Sequence, residues 1–147
     1  DYVVNGNPVS KGTVINYFIS RAKAEETLTV YEPGTQARNF IHVSDVAAAY
    51  VRGVERLRDL LDEDTTGVTH YTIASDSDPG VRDVAEQVKA VAGERGLDTA
   101  VELVENPRSG ETMVERFTVD TSKTHAELGW EPTWSIEDAI DEQLSVE

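Results

Sequence analysis

The chain contains no cysteine, which excludes disulfides, thiolate metal sites and cysteine nucleophiles. Positive charge is scarce. Thirteen Lys and Arg stand against 28 Asp and Glu, a net charge of −15, and only Lys11, Lys23, Lys89 and Lys123 are lysines. A nucleic-acid partner would need a basic stripe to neutralise phosphates, so none is expected. No stretch approaches the length of a membrane-spanning helix, and no basic-then-apolar leader opens the chain. The expectation is therefore a soluble, cytoplasmic protein without a membrane partner.

Self-sufficient catalytic motifs are also missing. The ten glycines form neither a Gly-x-Gly-x-x-Gly loop nor a Gly-Lys-Ser/Thr phosphate loop, and no Gly-x-Ser-x-Gly elbow is present. No Tyr precedes a Lys by four positions. His42, His70 and His125 fall on three different predicted elements without His-x-x-x-His spacing, and no loop has the acidic spacing of a calcium site. Neither a catalytic residue nor a metal site is expected in this stretch.

What is present fits one globular domain over 1–147: 39% apolar residues, with five Tyr, three Phe and two Trp. The first residue is Asp1 rather than Met, which suggests a fragment or a trimmed product. The acids are spread along the chain rather than gathered in a tail. They read either as a solvated coat suited to high salt, which screens self-repulsion, or as a surface for a cationic partner. In either case an anionic ligand must be held by a few placed arginines.

Apolar spacing predicts a helix over 12–25, a strand over 28–31 and a Pro-Gly turn over 32–36. A second strand over 39–43 is expected to pair with the first as a hairpin. Ser44 reads as the N-cap of a long helix carrying Val46, Tyr50, Val54, Leu57 and Leu61 on one face, with Asp45 favoured in its first turn. A strand over 69–75 follows. A helix is then opened by "DSDPG", continues from Val81 and is ended by Gly93 and Gly96. A strand over 100–105, an "NPRSGE" loop, an extended "ERFTVD" and a short helix stopped by Gly129 come next. Ser135 and Asp138 form a capping box for the last helix. Strands and helices alternate, so the class is α/β.

Two arginines stand out. Arg38 and Arg108 each lie in a loop near a glycine and beside a predicted strand. A guanidinium fork can hold a phosphate bidentately, and two converging forks suit a diphosphate. Each also fits an ordinary surface Arg among carboxylates. Tyr31 could offer a face to a base or simply pack at a strand end.

The stretch "LTVYEPGTQARNFIHVSDVAAAY" resembles the pattern Val-Tyr/Phe-Gly-x-Gly-x-x-x-Arg-Asp-Phe/Tyr-x-x-Val-x-Asp-Val-x-x-Ala of the extended short-chain dehydrogenase/reductases. "ENPRSGETMVERFTVDTSKTHAELGWEPTWSIEDAI" is similar to that family's Arg-Pro-Gly-Asp segment, Asp-x-Ser-Lys helix and Leu-Gly-Trp-x-Pro ending, and "GTVINYFISRAKAEETL" to the helix before the first stretch. Order and spacing match along nearly the whole chain. The family comprises NAD-dependent nucleotide-sugar epimerases and dehydratases, of the UDP-glucose 4-epimerase and dTDP-glucose 4,6-dehydratase kind.

The resemblance implies the C-terminal, substrate-binding portion of such an enzyme, with the Rossmann-type NAD domain largely missing. It implies that Arg38 and Arg108 hold the diphosphate of a ligand such as UDP-glucose. Thr29 and Tyr31 would then lie along the nucleoside, with Thr13 and Val14 touching the ligand near the helix start. NAD, the Gly-rich loop and the Tyr-x-x-x-Lys acid/base pair would belong to the other half, so the fragment alone would be inactive. The full-length protein would be a homodimer. An epimerase is the first expectation; a dehydratase, reductase, decarboxylase or non-catalytic binding relative are the alternatives. The sequence departs from the pattern at "VVNGNPVS", at Glu32-Pro33 in place of Gly, at Asn39 in place of Asp, at Thr72 in place of Asn and at Ser109 in place of Pro.

Overall fold

A computed structural model describes residues 2–4, 7–9, 13–63, 65–107 and 114–145. The elements in chain order are β1 (Tyr2–Val4), β2 (Asn7–Val9), α1 (Val14–Lys23), β3 (Leu28–Tyr31), α2 (Val43–Asp62), α3 (Val81–Glu94), β4 (Val101–Val104), α4 (Ser122–Leu128) and α5 (Ile136–Ser145). The α/β class holds.

The main core forms where the inward stripes of three helices meet one strand pair. Phe18, Ile19 and Ala22 come from α1, Leu28 and Val30 from β3, Val84, Ala85, Val88, Val91 and Ala92 from α3, and Ile140 from α5. Burying each of the larger side chains contributes roughly 1.5–3 kcal/mol. A second cluster of Ala49 from α2, Leu128 from α4 and Trp130 packs with Ile41, Tyr71 and Ile73. Helix starts follow their side chains. The Thr13 hydroxyl accepts from Asn16 N at 3.4 Å, Asp83 Oδ2 accepts from Gly80 N at 3.0 Å, and Ser135 Oγ accepts from Asp138 N at 3.0 Å. Gly129, at φ 59°, ends α4 in the left-handed conformation that glycine adopts without a Cβ penalty.

Several sequence expectations are corrected. Residues 28–31 and 39–43 make no hairpin. β3 pairs in parallel with β4 instead, Leu28 opposite Val101 through Tyr31 opposite Val104. The segment after β3 docks instead on the entrance to α3. Arg38 N donates to Pro79 O at 3.2 Å, Val81 N to Gln36 O at 3.1 Å and Ala37 N to Val114 O at 2.7 Å, and Ala37 bridges Gly80. The cap of α2 is His42 rather than Ser44, because Nδ1 of His42 accepts from Ser44 N at 3.3 Å. Gly93 lies inside α3, and the chain turns at Gly96 (φ 79°).

Residues 69–75 have no ladder partner among the described residues. The segment keeps a strand's alternation, with Tyr71 and Ile73 turned toward Leu128, and it is held by Thr124 Oγ1 donating to Thr72 O at 2.7 Å. Beside it, the apolar face of α2 lies open: Tyr50, Val54, Leu57 and Leu61 are each more than half exposed.

Asp45 joins the two clusters. It is 2% exposed. Its carboxylate accepts from Thr133 N at 3.0 Å, Thr133 Oγ1 at 2.8 Å and Trp134 N at 3.1 Å, and its carbonyl accepts from Trp130 Nε1 at 2.9 Å. Helix α2 is thereby fastened to the segment that leads into α5. Among the described residues no helix is long and apolar enough to cross a membrane.

Candidate functional site

Side chains of α1 and β3 diverge at the edge of the main core and leave a cleft of about 300 Å3 between them. Val14 and Tyr17 line it from α1, Thr29, Val30 and Tyr31 from β3, and Val81 from the start of α3. The loop after β3 closes one end with Glu32, Gly34, Gln36 and Arg38, and Asn106 reaches it from beyond β4. The floor is apolar, built on the buried Phe18 and Val30, whereas the rim is polar. Two tyrosine rings stand at the mouth, Tyr17 at 44% and Tyr31 at 55% exposure. An apolar floor with a few convergent polar groups is the ordinary form of a small-molecule site.

The structure thus brings Val14, Thr29, Tyr31 and Arg38 around one cavity. Arg108 lies outside the described residues. Thr13 is directed elsewhere: while its hydroxyl caps α1, it lines a neighbouring cleft on the other side of that helix. Tyr17, Gln36 and Asn106 were not singled out by sequence. Tyr17 sits on the apolar stripe of α1 and reads as core, and the two amides carry no motif.

Arg38 is the principal charged feature of the rim. Its Nη1 donates to Ala37 O at 2.8 Å, and no described carboxylate pairs with it. Other arginines do find carboxylates, Arg21 with Glu26 at 2.8 Å and Arg95 with Asp141 at 2.6 Å. In a chain of net charge −15, a cation left open to a cleft is available for an anionic ligand. The cleft also holds one carboxylate, that of Glu32. It opposes a phosphate placed close to it and so favours placement at the Arg38 end.

The neighbouring cleft, of about 410 Å3, lies between α1, residues 40–43 and α5. His42 closes it, stacked on Trp134 with ring centroids 4.0 Å apart and planes at 17°. Nδ1 of His42 accepts the Ser44 N–H, and its Nε2 faces Glu142 Oε2 at 3.4 Å.

Residues 2–72 match the model of the NAD dependent epimerase/dehydratase family. The low-salt glycan biosynthesis protein Agl12 of Haloferax volcanii is 36% identical over 87% of this chain. UDP-glucuronic acid decarboxylase 6 of Arabidopsis thaliana is 32% identical over 90% of it. The chain spans 37% and 34% of these two relatives. Among solved structures, the UDP-glucose 4-epimerase of Thermotoga maritima with UDP-glucose superposes at a TM-score of 0.71 and 22% identity, covering 94% of this chain and 40% of that one. The UDP-glucose 4-epimerase of Bifidobacterium longum with NAD+ and UDP gives 0.69 and 24%, covering 90% and 38%. The chain therefore has the fold of a part of these solved structures.

Proposed function

We propose that this chain is the C-terminal, substrate-binding part of an NAD-dependent nucleotide-sugar epimerase of the UDP-glucose 4-epimerase kind, and that the cleft between α1 and β3 holds the nucleotide diphosphate. The observation that carries this reading is the convergence on one cavity of Val14, Thr29, Tyr31 and Arg38, with which no described carboxylate pairs. In the proposed complex Arg38 holds the diphosphate, with Arg108 as its partner. Thr29 and Tyr31 lie along the nucleoside, and Val14 sets the helix start against the ligand. A decarboxylase is the second reading, favoured by the similarity to the Arabidopsis protein.

The residues of this chain do not fit NAD, since neither the Gly-rich loop nor a Tyr-x-x-x-Lys pair is present in it. Its contribution is to bind and orient the substrate, which lowers the entropic part of the barrier. The proton and hydride steps fall to residues of an N-terminal NAD-binding half. The open apolar face of α2 and segment 69–75, which has no ladder partner among the described residues, are the surface on which such a half would pack, since an unpaired edge readily accepts another strand. The full-length protein is proposed to be a cytoplasmic homodimer.

Two experiments bear on this reading. A crystal structure with UDP is expected to show the diphosphate beside Arg38 and the base between Tyr17 and Tyr31. Density confined to the cleft beside His42 would overturn the assignment. The acidic coat, together with the Haloferax relative, supports adaptation to high salt. Lowering salt to about 0.1 M lengthens the range of like-charge repulsion, so amide protection in α1 and α3 is expected to fall. Undiminished protection contradicts that part of the account.

A further inference from the structure

We infer that Asn39 is the positioning residue that sets Arg38 at the rim of the cleft; the inference rests on the anion-binding role proposed for Arg38. A long, rotamer-rich side chain can aim reproducibly only if its own peptide is fixed, and residues 37–39 are fixed from both sides. Ala37 N donates to Val114 O at 2.7 Å, and Arg38 N donates to Pro79 O at 3.2 Å. The next residue supplies the strongest tie. Nδ2 of Asn39 donates to Ser75 O at 2.8 Å and to Ser77 O at 3.3 Å, while its Oδ1 accepts from Ser75 N at 3.0 Å.

One carboxamide thus makes a closed, two-way pair with the peptide of Ser75, in the manner of a β-bridge. The pairing requires a donor and an acceptor on the same short side chain, which asparagine has and an ionised carboxylate lacks. An aspartate here could still accept from Ser75 N, but it would set charged oxygen against two carbonyls. Residues 75–77 are braced in turn, with Ser75 Oγ donating to Ser77 O at 3.0 Å. Arg38 is therefore referenced to the end of the 69–75 segment as well as to its own loop.

A residue that acts only on stability and one that acts through Arg38 are separated by a double-mutant cycle on UDP affinity. The four proteins are wild type, Arg38→Ala, Asn39→Asp and the double variant, titrated calorimetrically with UDP under conditions where each is folded. Asn39→Asp is expected to weaken UDP about tenfold in the wild-type background and less than about twofold once Arg38 is gone. Asn39→Ser retains a single hydroxyl for the same carbonyls; it is expected to fall between wild type and Asn39→Asp, and it carries the cycle if the aspartate variant does not fold. Equal losses in both backgrounds, or no loss, would overturn the positioning role while leaving the Arg38 site intact. If Arg38→Ala itself leaves UDP binding unchanged, the anion site fails and the positioning role with it.

Discussion

Replacing Asp45 with alanine is expected to lower Tm by roughly 5–15 °C, because it strips a buried acceptor from three donors at once. Thr133 N, Thr133 Oγ1 and Trp134 N all converge on this carboxylate. A donor left unsatisfied inside a protein costs about 1–3 kcal/mol, and water can reach part of this junction, so the summed loss is about 2–4 kcal/mol. The same contacts set a pH dependence. Burial pushes the Asp45 carboxyl upward, but the hydrogen bonds from Thr133 and Trp134 and the nearby His42 outweigh burial and hold it below the ordinary 3.8. The contribution of a group whose folded pKa is depressed is fully present above the unfolded value and disappears as pH falls through the folded one. The stability gap between wild type and Asp45→Asn, followed by thermal melts from pH 7 downward, should therefore be constant to about pH 4 and narrow below it. A gap that widens in acid would show that some other group holds the junction.

Gly34→Ala should be comparably damaging, at about 2–5 kcal/mol, although it adds a single methyl group. Two independent costs combine. Gly34 has φ 73°, where an L-residue pays about 1–2 kcal/mol. A Cβ there would also stand 2.9 Å from Val30 Cγ1 and 3.0 Å from Arg82 Cβ. Val30 is 1% exposed in the main core and cannot retreat, so overpacking adds about 1–3 kcal/mol. Gly93→Ala is the control: it is helical, with nothing within 4 Å of an added Cβ, and should raise stability by about 0.5–1 kcal/mol. Chemical denaturation of the two variants checks the pair, and similar midpoints for both would contradict the packing described around Gly34.

Much of the helical framework was legible because its signals are local. The stripe Val84, Ala85, Val88, Val91 and Ala92 repeats at the helical period and is buried as that period requires. The Ser135–Asp138 box and Gly129 mark helix ends by their own chemistry. Strand pairing was not legible, because a strand is defined by a partner that can lie far along the chain. β3 finds β4 about 70 positions later, and 39–43 lacks the ladder expected of it. Residues 69–75 have strand composition and alternation but no described partner. The β1–β2 pair has a local sequence signal too: Asn5-Gly6, the dipeptide most favourable to tight hairpins, stands between its strands.

The candidate site was legible in part. Resemblance singled out Val14, Thr29, Tyr31 and Arg38, and the fold sets them around one cavity. Thr13, next to Val14 in sequence, is the extended N-cap of α1 and lines the neighbouring cleft instead. Tyr17 belongs to the same apolar stripe as Phe18, and only the three-dimensional edge of the core shows that one ring is buried and the other open.

The most direct test of the central claim is the affinity for UDP of wild type and of Arg38→Ala, measured side by side by calorimetry. A charge-assisted hydrogen bond to phosphate contributes about 1.5–3 kcal/mol, so the variant should bind roughly 10- to 150-fold more weakly. Equal affinities for the two proteins would mean that the diphosphate does not lie at Arg38, and the cleft between α1 and β3 would lose its assignment.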